Sequence, residues 1–182
     1  QVLRPDAVDA VMRQTGMVIA PFELIDFVGV DVYVQVMNYY ARTLSPDFAP
    51  GRTLTAMVER GDLGMKTGRG IYTWRGGKAQ IDLSRQTSEI TPLDFLAIQV
   101  NEAVRVYKEG IARSVADIDR AMVHGMRTVA GPFALTAGLD HQQITDTLNR
   151  LRKRYGLSIY QPEPEIGDGS FQKWAREENG NR

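Results

Sequence analysis

The chain has 182 residues, 43% hydrophobic and 24% charged, which is the composition of an ordinary globular protein. Lysine plus arginine and aspartate plus glutamate each number 22, so no net charge attracts nucleic acid or an anionic membrane. Cysteine is absent, which excludes disulfide scaffolds and is compatible with the cytosol, and no apolar run reaches the ~20 residues that span a bilayer. We expect a cytoplasmic protein without nucleic-acid or membrane partners.

The first half of the chain predicts a series of helices followed by a hairpin. Proline is favourable in the first turn of a helix, because the N–H that it lacks would have no partner there. Glycine commonly follows the end of a helix. On this basis helices are predicted to start at Pro5, at Pro21, at Gly29 (to about Leu44) and at Thr53 (to Arg60). Residues 71–74 and 78–81 flank Arg75-Gly76-Gly77, and this pattern predicts a short β-hairpin.

The second half predicts further helices after a polar stretch. Thr91-Pro92 supplies a cap and a first-turn proline for a long helix that ends near Glu109. An apolar stripe at helical spacing over residues 144–155 predicts another helix, which Gly156 ends. The remaining residues predict a loop-like tail with a short helix at about 171–177.

Three short blocks occur twice in the same order, about 110 residues apart, which indicates an ancestral duplication. The blocks are Val8-Asp9-Ala10-Val11-Met12, Pro21-Phe22-Glu23-Leu24 and Gly29-Val30-Asp31 in the first copy, and Ile118-Asp119-Arg120-Ala121-Met122, Pro132-Phe133-Ala134-Leu135 and Gly138-Leu139-Asp140 in the second. We therefore predict a mainly α protein of two tandem helical repeats. The predicted parts are residues 1–82 (first repeat, with the hairpin), 83–90 (linker), 91–160 (second repeat) and 161–182 (tail).

The two copies differ at their starts. A long predicted helix precedes the Asp119 block, whereas the first copy begins almost at its Asp9 block. The chain also begins with Gln1 instead of methionine and has no signal-peptide pattern. We expect it to be a piece of a longer protein, starting inside a domain.

The segment from Gly61 to Gly70 is rich in glycine and invites comparison with phosphate-binding loops. A Walker loop needs glycine directly before its lysine, but Met65 precedes Lys66. A dinucleotide fingerprint needs a third glycine at position 73, which is a threonine, and a strand before the loop. We interpret the segment as a tight turn that positions Tyr72 and Trp74, while its basic residues leave an acidic ligand nearby as the alternative.

Other polar residues do not assemble a reaction centre. His124 and His141 lack the helical partners of a zinc site, so we assign both structural or solvated roles and predict no metal site. Glu23 stands in a predicted first turn, where a carboxylate caps a helix, and its second-copy counterpart is Ala134. Asn101 is interpreted as a buried amide with hydrogen-bond partners. No nucleophile, base and oxyanion group occur together, and we predict no catalytic residue in this chain.

The ordered motifs resemble the C-terminal domain of 3-hydroxyacyl-CoA dehydrogenases. They are Ile/Val-Asp-x-x-Met, then Pro-Phe-Glu-Leu-Ile-Asp-Phe-Val-Gly-Val-Asp, then Leu-Gly-Met-Lys-Thr-Gly-Arg-Gly-Ile-Tyr, and the resemblance covers nearly everything from Arg4 to Pro162. The family usually has glycine where this chain has Ala20. The second copy keeps Gly131-Pro132-Phe133 and is similar to the second repeat of longer family members, although it lacks the acid and the glycine-rich loop.

The resemblance implies a fold of the 6-phosphogluconate dehydrogenase C-terminal type and a role in fatty-acid β-oxidation. In the family NAD and a catalytic His–Glu pair belong to a preceding Rossmann domain, and no residue here matches either. An active-site asparagine lies on the helix that the first copy lacks, and Asn101 is not its counterpart. The helical region closes over the acyl-CoA and forms a homodimer, so the substrate-cleft or interface candidates are Pro21, Phe22, Glu23, Leu24 and Lys66.

The leading interpretation is therefore the C-terminal region of an NAD-dependent 3-hydroxyacyl-CoA dehydrogenase, inactive by itself. One alternative is a non-enzymatic helical module for dimerisation or ligand binding. Another is the helical half of a different hydroxyacid dehydrogenase, which the Lys66–Gly70 loop and the Pro-Phe-Glu-Leu block argue against.

Overall fold

The structure, a computed structural model, describes residues 3–15, 17–85, 87–126 and 128–174. The chain forms two compact units, Gln1–Ile90 and Thr91–Arg182, called unit 1 and unit 2 below. The mainly helical architecture predicted from the sequence is confirmed. None of the helices in the described ranges is long and apolar enough to cross a membrane.

The described part of unit 1 contains four α-helices, a glycine-rich loop and a hairpin, with short 3₁₀ helices at Pro46–Phe48 and Met65–Thr67. Its elements are α1 (Pro5–Arg13), α2 (Pro21–Val28), α3 (Val30–Thr43), α4 (Arg52–Glu59), β1 (Trp74–Arg75) and β2 (Lys78–Ala79). The strands pair antiparallel across a Gly76-Gly77 turn, with Trp74 opposite Ala79. The predicted hairpin is thus confirmed, but its strands are shorter than the sequence pattern indicated because only two residues on each side are paired.

The apolar core of unit 1 lies between α3 and α4. Val30, Val34 and Met57 are its buried residues, and Ile25, Leu54, Val58 and Ile71 pack against them. The four-residue spacing of Val30 and Val34 places both side chains on one face of α3, which packs against α4. This face therefore holds α3 against α4. Nearer the start of the chain, α1 packs on α2.

Unit 2 consists of helices alone among the described residues. They are α5 (Pro92–Lys108), α6 (Val115–Met126), α7 (Pro132–Thr136), α8 (His141–Tyr155) and α9 (Pro164–Gly167). Helix α5 starts at Pro92 as predicted, whereas α9 lies in the tail that was predicted to be loop-like. Helix α8 ends at Gly156, whose φ of 70° is the left-handed conformation that favours glycine. Residues 171–174 are helical too, and the rest of the predicted tail helix lies outside the described residues.

The core of unit 2 is larger and includes the tail. Its buried residues are Ala97, Val100, Ala103, Val104, Val115, Phe133, Ile144, Leu148, Ile166 and Phe171. Helix α5 packs against both α7 and α8. Asn101, 1% exposed, holds the tail by donating to the Gln161 carbonyl at 2.9 Å and accepting from the Glu163 amide at 2.8 Å. The prediction of a buried, satisfied amide is confirmed.

Candidate functional site

Asp9 organises the start of α2. Its carboxylate accepts hydrogen bonds from the backbone N–H groups of Phe22 and Glu23, both at 2.9 Å. The first amides of a helix have no partner within the helix, so an acid from another helix can satisfy them and interact favourably with the helix dipole. Asp9 is fully buried, and it therefore ties α1 to the N-terminus of α2.

Asp119 makes the same contact in unit 2. Its carboxylate accepts from the N–H groups of Phe133 and Ala134, again at 2.9 Å. A Cβ atom on Gly131 would overlap the Asp119 side chain, which explains a glycine directly before the Pro-Phe pair. The duplicated Asp and Pro-Phe blocks are therefore the two halves of one capping contact, repeated in each unit.

Glu23 is a second cap at the start of α2. Its carboxylate accepts from the Ala20 N–H at 3.3 Å and forms an ion pair with Arg13 of α1. Only 15% of its side chain is exposed. Glu23 is therefore engaged on both sides by contacts that stabilise the fold, as the capping interpretation predicts.

Asp26 lies at the centre of the glycine-rich loop and is fully buried. Its Oδ1 accepts from the Ile71 N–H at 2.8 Å, and its Oδ2 accepts from the Tyr72 N–H at 2.8 Å and the Trp74 Nε1–H at 2.9 Å. The loop thus binds an anion, but the anion is a side chain of α2. The predicted tight turn that positions Tyr72 and Trp74 is confirmed, since both side chains are buried.

Tyr72 connects the loop to α1 as well. Its hydroxyl donates to Asp9 Oδ2 at 2.9 Å, so Asp9 has three donors. Burial raises the pKa of Asp9, and the bonds from Phe22, Tyr72 and Glu23 oppose that rise. Burial, together with the nearby Asp9 charge, also raises the pKa of the Tyr72 hydroxyl, which is therefore a hydrogen-bond donor at neutral pH.

The sequence-predicted candidates occupy two places in unit 1. Pro21, Phe22, Glu23 and Leu24 form the first turn of α2, where the side chains of Phe22 and Leu24 are half-buried. Lys66 projects from the loop, and its Nζ contacts both carboxylate oxygens of Asp31 on α3, at 2.6 and 2.7 Å. That hydrogen bond lowers the pKa of Asp31.

Exposed apolar side chains lie on one face of α3 and at the end of α2. Val32, Val36 and Tyr39 recur every three or four residues, so they share one face of α3, and they are 40%, 39% and 56% exposed. At the end of α2, Phe27 and Val28 are 49% and 50% exposed. Isolated apolar residues on a surface are ordinary, but a recurring set on one helix face marks a candidate contact surface.

The described residues do not fit a metal or a dinucleotide. Across residues 3–174, apart from the gaps at 16, 86 and 127, no group of three or more His, Asp or Glu side chains could hold a metal ion. The strands in these ranges form only a hairpin with two residues in each strand, whereas a dinucleotide site needs a strand leading into a helix. In addition, two loop amides that could face a phosphate already bind Asp26.

Fold and site together define a duplicated helical domain whose buried acids cap helices and order a loop. A family model for the 3-hydroxyacyl-CoA dehydrogenase C-terminal domain matches residues 1–74 and 95–169, which includes both units. The chain belongs to this family.

Curated relatives point to the same family. The fatty acid oxidation complex subunit alpha of Vibrio cholerae serotype O1 is 28% identical over 166 residues, covering 83% of this chain and 23% of the relative. The protein of the same name from Vibrio vulnificus is 27% identical over 165 residues, with the same coverage. The chain therefore spans about a quarter of the length of these relatives.

Two solved structures share the fold. A 3-hydroxybutyryl-CoA dehydrogenase from Escherichia coli K12 gives a TM-score of 0.75 at 22% identity, covering 92% of this chain and 54% of that chain. The dehydrogenase part of multifunctional enzyme 1 from C. elegans gives a TM-score of 0.62 at 18% identity, covering 91% and 42%. At these identities the likeness shows the fold alone.

Sequence reasoning missed the roles of Asp9, Asp26 and Asp31. A signal for Asp9 was present, because the acid recurs as Asp119 at the same place in the second copy. Asp26 had a weaker signal, since the first copy alone has both this acid and the glycine-rich loop. Nothing in the spacing indicated that Asp31 meets Lys66, 35 residues away.

Proposed function

We propose that this chain is the C-terminal region of an NAD-dependent 3-hydroxyacyl-CoA dehydrogenase of fatty-acid β-oxidation, which closes over the acyl-CoA substrate and contributes a homodimer contact. The family match across both units carries the proposal. The names of the Vibrio relatives support the fatty-acid context. In this proposal the protein is cytoplasmic, and NAD and the proton-transfer residues belong to other parts of the longer protein.

The chemistry of hydride transfer explains what a helical region contributes. The cofactor and the substrate carbon must be held at reacting distance, and water must be excluded from the reacting atoms. Helices supply apolar walls for this purpose without contributing a reacting group. The half-buried Phe22 and Leu24, beside the exposed Phe27 and Val28, are the side chains that we assign to such a wall.

The substrate-closing role can be tested in the full-length protein. Phe22→Ala removes the ring but leaves the backbone N–H that Asp9 binds, so the helix cap is retained. We expect weaker acyl-CoA binding and lower turnover, while Leu135→Ala, at a 40% exposed position of unit 2, should leave both unchanged. Unchanged affinity and turnover in the Phe22 variant would contradict the role.

The dimer contact is assigned to the α3 face formed by Val32, Val36 and Tyr39. Placing a lysine on the α3 face, as in Val36→Lys, would leave a charge without a partner in a contact between two copies. We expect this change to lower the mass measured by sedimentation, whereas Leu83→Lys, at a residue 52% exposed elsewhere in unit 1, should not. A variant with the parent's mass would contradict the assignment.

The competing candidate is a non-enzymatic helical module, which is favoured by the engagement of Asp9, Glu23 and Asp26 in structural contacts. Two measurements separate the candidates. NADH-linked turnover of acetoacetyl-CoA should be absent from the 182-residue chain and present in the full-length protein. A parent gene without a strand–Gly-x-Gly-x-x-Gly–helix segment would favour the non-enzymatic module.

A further inference from the structure

The glycine-rich loop has the geometry of an anion receptor. Two consecutive backbone N–H groups, from Ile71 and Tyr72, and the Trp74 indole N–H converge on one carboxylate at 2.8–2.9 Å. All three donors are neutral, and the carboxylate they hold is fully buried. A buried charge of this kind is tolerated only when its oxygens are hydrogen-bonded, so the three donors are what allows Asp26 to lie there.

Two glycines of the loop make room for Asp26, Gly64 for its backbone and Gly70 for its carboxylate. A Cβ atom on Gly64 would lie 2.8 Å from two backbone carbons of Asp26, and one on Gly70 would lie 2.7 Å from its Cγ. Real Cβ atoms essentially never approach so closely. Gly64 also has a φ of 90°, which disfavours any other residue. Both glycines are therefore explained by Asp26, and no external ligand is needed to account for them.

Unit 2 provides an internal comparison. Counting from the Pro-Phe pair, the position of Asp26 corresponds to Ala137, and the second copy has no glycine-rich loop. The other acid, Asp119, is kept together with its two amide donors. The two copies therefore differ in the loop and in the acid that fills it, while they share the helix cap.

We propose that residues 63–74 form a carboxylate receptor that the chain closes with its own Asp26, and that the emptied receptor binds a free small carboxylate such as formate. The donors are divided between two oxygens of a planar group, one facing Oδ1 and two facing Oδ2. A tetrahedral phosphate is larger than this planar group, and Gly70 packs closely against the carboxylate, which leaves little space for a larger anion.

The receptor also determines where neighbouring side chains lie. Tyr72, whose N–H binds Asp26, places its hydroxyl on Asp9 of α1, and Lys66 of the same loop meets Asp31 of α3. One loop thus contacts acids on three successive helices. Filling the receptor is what orders the loop, so the position of Lys66 depends on the carboxylate of Asp26.

The test is chemical rescue in the 182-residue chain. Asp26→Ala removes the carboxylate group and keeps Cβ, leaving a space that matches formate. Asp26→Gly also removes Cβ, leaving a space that matches acetate. Each variant, in a Trp174→Phe background, is melted in increasing formate or acetate, with sodium chloride at equal ionic strength as reference, and followed by circular dichroism and Trp74 fluorescence.

We expect each variant to melt below the parent and to recover in a saturable way with the anion that matches its space. At about five times the dissociation constant, linkage predicts an upward shift in melting temperature of about 4–8 °C for a unit of this size. Hydrogen exchange at the Ile71 and Tyr72 amides should slow in parallel. If a variant does not fold alone, recovery of the helical signal on addition of the anion gives the same answer.

Two controls make the result decisive. Asp26→Asn fills the receptor with a neutral group, so added formate should have no effect. Asp31→Ala removes an acid that contacts the same loop but is 26% exposed, and water should fill its place. The proposal is overturned if neither anion acts beyond the chloride reference, or if the Asp31 variant responds as strongly as the Asp26 variants.

Discussion

Asp9 and Tyr72 provide the most direct test of how unit 1 is held together. In Asp9→Ala the α2 cap is lost, which costs about 1 kcal/mol of unfolding free energy in typical helices. The buried Tyr72 hydroxyl also loses its acceptor, 2.9 Å away, at a further cost of about 1–3 kcal/mol. We therefore expect unit 1 to be destabilised by about 2–4 kcal/mol.

The assay uses one tryptophan in each unit. The chain has two, Trp74 in unit 1 and Trp174 in unit 2, so a Trp174→Phe background reports unit 1 alone during denaturant unfolding. Tyr72→Phe in that background removes a hydrogen bond to a carboxylate and should cost about 1.5–3 kcal/mol.

The double variant, Asp9→Ala with Tyr72→Phe, tests whether the bond between these two side chains is stabilising. Without Asp9 the tyrosine hydroxyl is an unsatisfied group, so Tyr72→Phe should then cost little or restore some stability. The two changes should be non-additive by at least about 1 kcal/mol, because they remove the two partners of one contact. Additivity within about 0.5 kcal/mol would refute the assignment of the Asp9–Tyr72 bond as stabilising.

Three further predictions concern unit 2, each read from Trp174 fluorescence in a Trp74→Phe background. Gly131→Ala places a Cβ against Asp119 and should destabilise unit 2 by about 1–3 kcal/mol; an unchanged unfolding midpoint would contradict this. Asn101→Ala leaves a carbonyl and the Glu163 N–H without their partner and should cost at least about 2 kcal/mol; a loss below about 1 kcal/mol would contradict this. Burial raises the pKa of Glu163, but bonds from neighbouring cations outweigh it, and the net pKa is lowered from 4.5. Its stabilisation is therefore present above that unfolded value and lost as pH falls through the lower folded one, and Glu163→Gln should flatten that part of the pH–stability curve.

The residue before the Pro-Phe pair differs between the two units, Ala20 in unit 1 and Gly131 in unit 2. Ala20 occupies the place of Gly131 with similar backbone angles, φ −80° against −86°. Yet Ala20 is fully buried without displacing Asp9 from its amide donors. The contact therefore accommodates a Cβ in unit 1, whereas a Cβ on Gly131 would overlap Asp119 in unit 2.

The sequence by itself determined the helical class, the helix starts and the duplication. These are local properties: a first-turn proline needs no donor, a glycine adopts the left-handed conformation, and an apolar stripe recurs every three or four residues. The structure bears out the starts at Pro5, Pro21 and Pro92. The block pattern was readable because both copies use it for the same contact between an acid and the Pro-Phe amides.

Only the tertiary structure decided what the glycine-rich segment binds. From sequence, Lys66 and its basic neighbours left an acidic ligand as the alternative to a plain turn, but the donors that hold Asp26 are neutral backbone and indole N–H groups. The ligand is Asp26, 45 residues before the Ile71 amide that it accepts from. A pairing at such separation depends on how α2 and the loop fold against each other, because no local sequence pattern around either residue identifies its partner.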